Sequence, residues 1–220
     1  MMQDEAGAKD DAYWMGLALE EASKARRLSP PNPSVGAGIV TEGRAIGRGF
    51  TQQTGGPHAE VMALRDAAAG GESGEGATSY VTLEPCSHWG RTPPCALAII
   101  EHKLGRVVTS VSDPNPQVAG RGLKMIREAG IEVTEGVRSD EGWLSNRGFL
   151  TRMTTGRPWV RMKCAATLDG RTAFPDGRSQ WSTGPQARED AQYWRGVSGA
   201  IVTGIGTVLA DNPKMTVRLP

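Results

Sequence analysis

From Asp11 to Leu28 the apolar residues Trp14, Leu17, Ala18, Ala22, Ala25 and Leu28 recur at helical spacing, and Pro30-Pro31 stops the pattern. That predicts a first amphipathic helix. Val35 to Val40 and Ala45 to Phe50 instead read as two strands around Thr41-Glu42-Gly43-Arg44, a hairpin whose glycine accepts a positive φ. After Gly55-Gly56-Pro57, the segment HAEVMALRDAAA is rich in helix formers and ends at Gly70-Gly71, so His58 is predicted to begin a helix. A surface loop to Gly76, a strand from Ser79 to Leu83, the loop EPCSHWGRTPP, a helix from Cys95 to Leu104 and a strand from Arg106 to Val111 follow. Beyond the DPNP turn, Asp113 to Pro116, come a helix RGLKMIREA stopped by Gly130, a short strand IEVTEGV and a helix opening near Ser139-Asp140. Strands alternating with helices predict an α/β layer fold.

The helical pattern fades at Thr154-Thr155-Gly156-Arg157-Pro158, which sets a first domain over 1–153 and a second unit over 158–220. The second unit is expected to hold a strand from Trp159 to Thr167 and a helix from Pro185 to Arg195 capped by Thr183 or Ser182. A strand from Ala200 to Gly204 and the turn Ala210-Asp211-Asn212-Pro213 complete it. A unit this short is marginal as an independent core.

Charge narrows the partners. Lys and Arg total 25 against 24 Asp and Glu, so there is no basic field to draw the chain onto nucleic acid. The start, MMQDEAGAKDDAYW, is acidic where a secretory signal is positive and apolar, and no stretch approaches membrane-span length. A cytoplasmic protein with no nucleic-acid or membrane partner is expected. The three cysteines are an odd number, which favours reduced thiols and a metal site over a disulfide framework.

The chemistry concentrates in His58-Ala59-Glu60, Pro85-Cys86 and Cys95. One imidazole and two thiolates fill three corners of a zinc tetrahedron and leave the fourth for water, the arrangement of a catalytic site. His58 and Cys95 are each expected in the first turn of a helix, whose positive end favours thiolate, with Cys86 on the loop after a strand. Zinc would bring the pKa of its water to about 7, and Glu60 could take that proton and pass it to a departing amine. H-x-E followed by P-C-x-x-C is the signature of zinc nucleobase deaminases. The first half matches, whereas eight residues, SHWGRTPP, separate the thiols here. The competing reading makes His58 a surface histidine and the cysteines buried small hydrophobes. A Gly-Gly-Pro turn before His58 and prolines before both cysteines favour the metal site.

At HAE, EPCSHWGRTPPC and DPNP the sequence resembles the deaminase half of the bifunctional riboflavin-pathway deaminase-reductases. KCAATLDGRTAFPDGRSQWSTG and GIGTVLADNP resemble their reductase half, so the likeness runs from about Tyr13 to Pro220. It implies a cytidine-deaminase-like three-layer α/β/α domain followed by the first part of a dihydrofolate-reductase-like α/β domain, with zinc and NADPH as cofactors. The implied substrate is a small molecule, 2,5-diamino-6-ribosylamino-4(3H)-pyrimidinone 5′-phosphate. Its ring amine is replaced by oxygen before NADPH reduces the ribosyl group to ribityl.

Carried over by position, the resemblance implies Glu60 as proton shuttle, His58, Cys86 and Cys95 as zinc ligands, and substrate contacts at Asn32, His88, Arg91, Asp113 and Asn115. A cationic Arg91 suits a ribose phosphate, and Asp and Asn supply donors and acceptors for the ring and hydroxyls. In the second unit it implies Ala165, Trp181, Thr207 and Asp211 against the nicotinamide cofactor. Ser179, Arg195, Met215 and Arg218 would then face the ribosyl substrate, with Met215 standing where Leu is expected. Trp181 and Met215 also fit a core, and Lys163 fits either a substrate contact or a solvent-facing strand position. Cys164 is expected to be buried in its strand and His102 to lie on a helix surface.

No G-x-G-x-x-G occurs. Gly204-Ile205-Gly206 comes nearest but lacks the third glycine and a helix opening to cradle a pyrophosphate. The expectation is a chain that deaminates without reducing, whose unfinished sheet edge and the general commonness of symmetric dimers and tetramers favour homo-oligomers, unless it is part of a longer protein. Two other readings stay open: a zinc deaminase of free nucleosides or transfer RNA, disfavoured by the long inter-cysteine loop, and an inert fragment with a binding role, disfavoured by an unblunted site.

Overall fold

The computed structural model describes residues 9–116 and 118–218. The acidic stretch Met1–Ala8 and the last two residues of the reductase-like segment lie outside the described residues. Two compact units divide between Trp159 and Val160.

The first unit opens with helix α1, Asp11–Ala25, whose N-cap Asp10 accepts the Tyr13 N–H at 2.8 Å. Trp14, Met15, Ala18, Ala22 and Ala25 form its buried stripe. The helix stops short of the expected Leu28, which is 41% exposed. Strands β1 (Gly36–Thr41) and β2 (Arg44–Phe50) pair antiparallel across Glu42 and Gly43, both at positive φ (49° and 70°), as a two-residue hairpin turn requires. Then come α2 (Ala59–Ala69), β3 (Thr78–Leu83), α3 (Cys95–Glu101), β4 (Arg106–Val111), α4 (Arg121–Glu128) and β5 (Glu132–Thr134). Helices α5 (Ser139–Ser145) and α6 (Arg147–Thr155) close the unit where one helix was expected, interrupted at Asn146.

The sheet order is β2-β1-β3-β4-β5, with β1 antiparallel to both neighbours and β3, β4 and β5 parallel. Because strand side chains alternate, Tyr80 and Val108 pack with Trp14, Met15 and Ala18 on the α1 face. Val81, Leu83 and Val107 pack with Ala63, Ile99, Leu123 and Ile126 on the opposite face, beneath α2, α3 and α4. The result is a three-layer α/β/α unit, as expected. Helix α2 lies so close to β2 that a Cβ at Gly47 would sit 2.1 Å from the Ala63 carbonyl oxygen, and one at Gly49 would sit 2.4 Å from that of Ala59. Glycine on the strand and alanine on the helix fix the seat of α2, and with it the residues at its N-terminal end.

The second unit holds α7 (Pro185–Gly196) and α8 (Ile205–Asp211). The expected strands Trp159–Thr167 and Ala200–Gly204 do not form among the described residues. Apolar residues alone make no strand without a ladder partner, and here Val160, Met162 and Val202 are 76%, 85% and 92% exposed. Cys164, expected to be buried, is exposed for the same reason. The N-cap of α7 is Gly184 rather than Thr183 or Ser182, with Pro185 in the first helical position where its missing N–H is harmless. A helix does open beside Gly204, contrary to expectation, although the third glycine is absent. No described helix is long and apolar enough to cross a membrane.

Candidate active site

The entry to α2 departs from expectation in one respect. His58 is the N-cap, with extended backbone (ψ 169°), rather than a first-turn residue, and its side chain caps no helix N–H. Freed from capping, the ring turns to two sulfurs: His58 Nδ1 lies 3.2 Å from Cys95 Sγ and 3.6 Å from Cys86 Sγ. Cys95 is the first residue of α3, after Pro94, and its backbone N–H donates to Cys86 Sγ at 3.3 Å. Cys86 lies on the loop after β3, held there as its carbonyl accepts the Ala96 N–H at 3.1 Å.

The three donor atoms lie within 4.8 Å of one another. Bond lengths of zinc to nitrogen and sulfur give tetrahedral edges of about 3.5–3.8 Å, so the spacing suits a single tetrahedral ion. The protonation chemistry suits it too. Hydrogen bonding from Cys95 outweighs burial and holds the Cys86 thiol down at about 4, while Cys95, bonded to Cys86 and buried, is pushed up. A divalent cation takes both sulfurs as thiolates, so its binding would release protons from this pair. His58 is raised by its bond to Cys86 against the opposing effect of burial. Glu60, 4% exposed, is pushed up to about 7, first by burial and then by the Cys86 charge, with His58 opposing.

His58, Glu60 and Cys86 line a cavity of about 440 Å³, and so do Asn32, His88, Arg91, Asp113 and Asn115. Every first-unit residue that the resemblance singled out therefore meets in one place except Cys95, which is buried behind it. Asn115 is presented by a turn in which its N–H donates to Asp113 Oδ1 at 2.8 Å. Burial raises Asp113 from its ordinary carboxylate value.

Two residues of the site are not singled out by the sequence. Glu84 lines the cavity, is 4% exposed, and its Oε2 accepts the N–H groups of Asp113 (3.2 Å) and Gly120 (3.0 Å). Phe149, from α6, supplies an apolar wall.

The second-unit residues form no part of this cavity. Arg195 and Arg218 converge, each donating to the Lys214 and Thr216 carbonyls on either side of Met215, at 3.0–3.2 Å. Thr207 and Asp211 lie one turn apart on α8. Trp181 is 66% exposed rather than core, with Arg188 stacked on its ring at 4.4 Å. Ala165, Ser179 and Met215 are half-buried, and Lys163 is exposed. His102, at the end of α3, is exposed as expected.

Comparison with known proteins gives these features a class. Residues 8–111 match the cytidine and deoxycytidylate deaminase zinc-binding region, and residues 158–220 match the RibD C-terminal domain. The chain is thus a zinc-binding deaminase domain joined to a reductase-type domain. It is 54% identical over 208 residues to riboflavin biosynthesis protein RibD of Escherichia coli, covering 94% of this chain and 56% of that protein. The Aquifex aeolicus RibD is 47% identical over 94% of this chain and 58% of its own length. Among solved structures, Acinetobacter baumannii RibD superposes with a TM-score of 0.90 at 51% identity, over 97% of this chain and 59% of that one. The Thermotoga maritima diaminohydroxyphosphoribosylaminopyrimidine deaminase/5-amino-6-(5-phosphoribosylamino)uracil reductase gives 0.91 at 45% identity, over 95% and 59%. The chain is similar to RibD proteins along nearly all of its length, and it spans a little over half the length of the relatives it matches.

Proposed function

We propose that the first domain, over 1–153, deaminates 2,5-diamino-6-ribosylamino-4(3H)-pyrimidinone 5′-phosphate by zinc-assisted hydrolysis. The observation that carries this reading is the meeting of His58, Cys86 and Cys95 with a buried Glu60 on a cavity also lined by Asn32, His88, Arg91, Asp113 and Asn115. His58, Cys86 and Cys95 hold the zinc. When bound, zinc supplies Lewis acidity that makes water a nucleophile near neutral pH.

The chain's own residues do the rest. Glu60, held near 7 by burial, is matched to both halves of a proton relay: its carboxylate accepts a proton from water and its acid form delivers one to the leaving amine. Water enters, the carbon–nitrogen bond breaks, and ammonia leaves with oxygen in its place. Arg91 binds the ribose phosphate, and Asp113, Asn115, Asn32 and His88 orient the ring and sugar. The similarity to RibD proteins and the eight-residue inter-cysteine segment favour this substrate over nucleosides or transfer RNA.

The second unit, over 158–220, is the NADPH-dependent reductase region. Ala165, Trp181, Thr207 and Asp211 serve the cofactor there, and Ser179, Arg195, Met215 and Arg218 the ribosyl group. We place the chain in the cytoplasm, as a homo-oligomer with no nucleic-acid partner. Zinc-loaded chain incubated with the pyrimidinone should release ammonia, and a Glu60→Gln control should not. NADPH added to the same reaction reads the second activity separately. Release from cytidine or an RNA stem-loop, with none from the pyrimidinone, overturns the assignment.

A further inference from the structure

We infer that Glu84 is a positioning residue that sets the Asp113–Asn115 turn over the cavity, and so governs how tightly the site takes its substrate. The inference rests on the deaminase reading above. Glu84 follows the last residue of β3, and its own N–H donates to the Val111 carbonyl at 2.9 Å, so its backbone continues the β3–β4 ladder. Its side chain then reaches past the end of β4. Oε2 accepts the Asp113 N–H where the turn leaves the sheet and the Gly120 N–H where the chain enters α4. One carboxylate oxygen thus ties both ends of the segment that presents Asp113 and Asn115. The helix that follows is seated close by: a Cβ at Gly122 would sit 1.8 Å from the Pro85 carbonyl oxygen, so α4 rests directly on the residue between Glu84 and Cys86.

A carboxylate is more than this clasp needs structurally. Both N–H groups converge on Oε2, and Oε1 is buried with no hydrogen-bond partner among the described residues. A buried, half-satisfied carboxylate is costly where only packing is at stake. A charged acceptor, however, holds two N–H groups more firmly than a neutral one. That firmness pre-orders the turn before substrate arrives, which lowers the cost of binding rather than the barrier of the chemical step.

The test compares Glu84→Leu and Glu84→Gln with the wild-type chain, all zinc-loaded. Leucine removes the acceptor at similar volume, while glutamine can place its carbonyl at the Oε2 position and keep both bonds in neutral form. The expected result is a KM for the pyrimidinone raised about tenfold in Glu84→Leu, or roughly 1.4 kcal/mol, with zinc content and kcat retained. Glu84→Gln should recover most of that loss. Amide hydrogen exchange at Asp113 and Gly120, measured without substrate, should quicken in Glu84→Leu and much less in Glu84→Gln. Unchanged exchange and KM in Glu84→Leu overturns the inference, as does a loss confined to kcat or to zinc. A wild type that exchanges as described yet releases no ammonia defeats the deaminase reading and leaves the clasp standing.

Discussion

Asn146 grips Ser34 at both of its backbone polar atoms: Oδ1 accepts the Ser34 N–H at 2.7 Å and Nδ2 donates to the Ser34 carbonyl at 2.9 Å. The two residues are 112 positions apart and both buried. The side-chain amide acts as a length of strand would, and it locks the loop carrying Asn32 against the junction of α5 and α6. Asn146→Ala leaves a buried donor and acceptor unmade and should lower stability by roughly 2–4 kcal/mol. Urea unfolding would show this as a lower midpoint with the slope retained. A midpoint equal to wild type would mean that water replaces the amide at no cost.

Glu60→Gln is expected to retain zinc and fold while ammonia release falls by about a hundredfold or more, since the amide can neither take nor deliver the proton. Metal analysis and the ammonia assay on the same sample check it. Residual activity within threefold of wild type would remove Glu60 from the proposed role.

Substituting Cys86→Ala or His58→Ala should reduce zinc well below one per chain, because two protein donors hold the ion far less well than three. A chelator should remove zinc faster from either variant than from wild type, and retention of full zinc would exclude the mutated residue as a ligand.

Gly47→Ala should destabilise the first unit by about 1–3 kcal/mol, since the added methyl meets backbone of α2 rather than a side chain that can move. The shift of α2 should also weaken zinc binding through His58. A Gly43→Ala control tests positive-φ strain alone, because nothing lies within 4 Å of a Cβ there.

Asp11 accepts both terminal nitrogens of Arg106 at 2.8 and 2.9 Å and the Tyr80 hydroxyl at 2.8 Å. The Arg106 guanidinium holds Asp11 below its ordinary value of 3.8. A carboxylate depressed on folding stabilises above its unfolded pKa, and that contribution is lost as pH falls through the folded value. Stability should therefore drop below about pH 4 by more in wild type than in Asp11→Asn. At neutral pH the variant should be weaker by about 1 kcal/mol. Parallel thermal melts from pH 3 to 7 compare the two slopes, and identical slopes would exclude Asp11 as a contributor.

The sequence by itself determined the order of elements in the first unit and the composition of its metal cluster. Those features are local. Hydrophobic spacing marks α1 and the strands, and His58, Glu60, Cys86 and Cys95 sit in short segments whose prolines and glycines set their own turns. The resemblance carried the more scattered residues, Asn32, Arg91 and Asp113, which no spacing marks. Only the tertiary structure decided what depends on partners far along the chain. It made His58 an N-cap turned to sulfur, put Glu84 across two ends of a turn, and broke the last helix at Asn146 so that its amide could reach Ser34. In the second unit the apolar runs at Trp159–Thr167 and Ala200–Gly204 formed no strands among the described residues. Extended chain becomes a sheet only when another strand completes its hydrogen bonds and another layer covers its face, and neither condition can be read from the run itself.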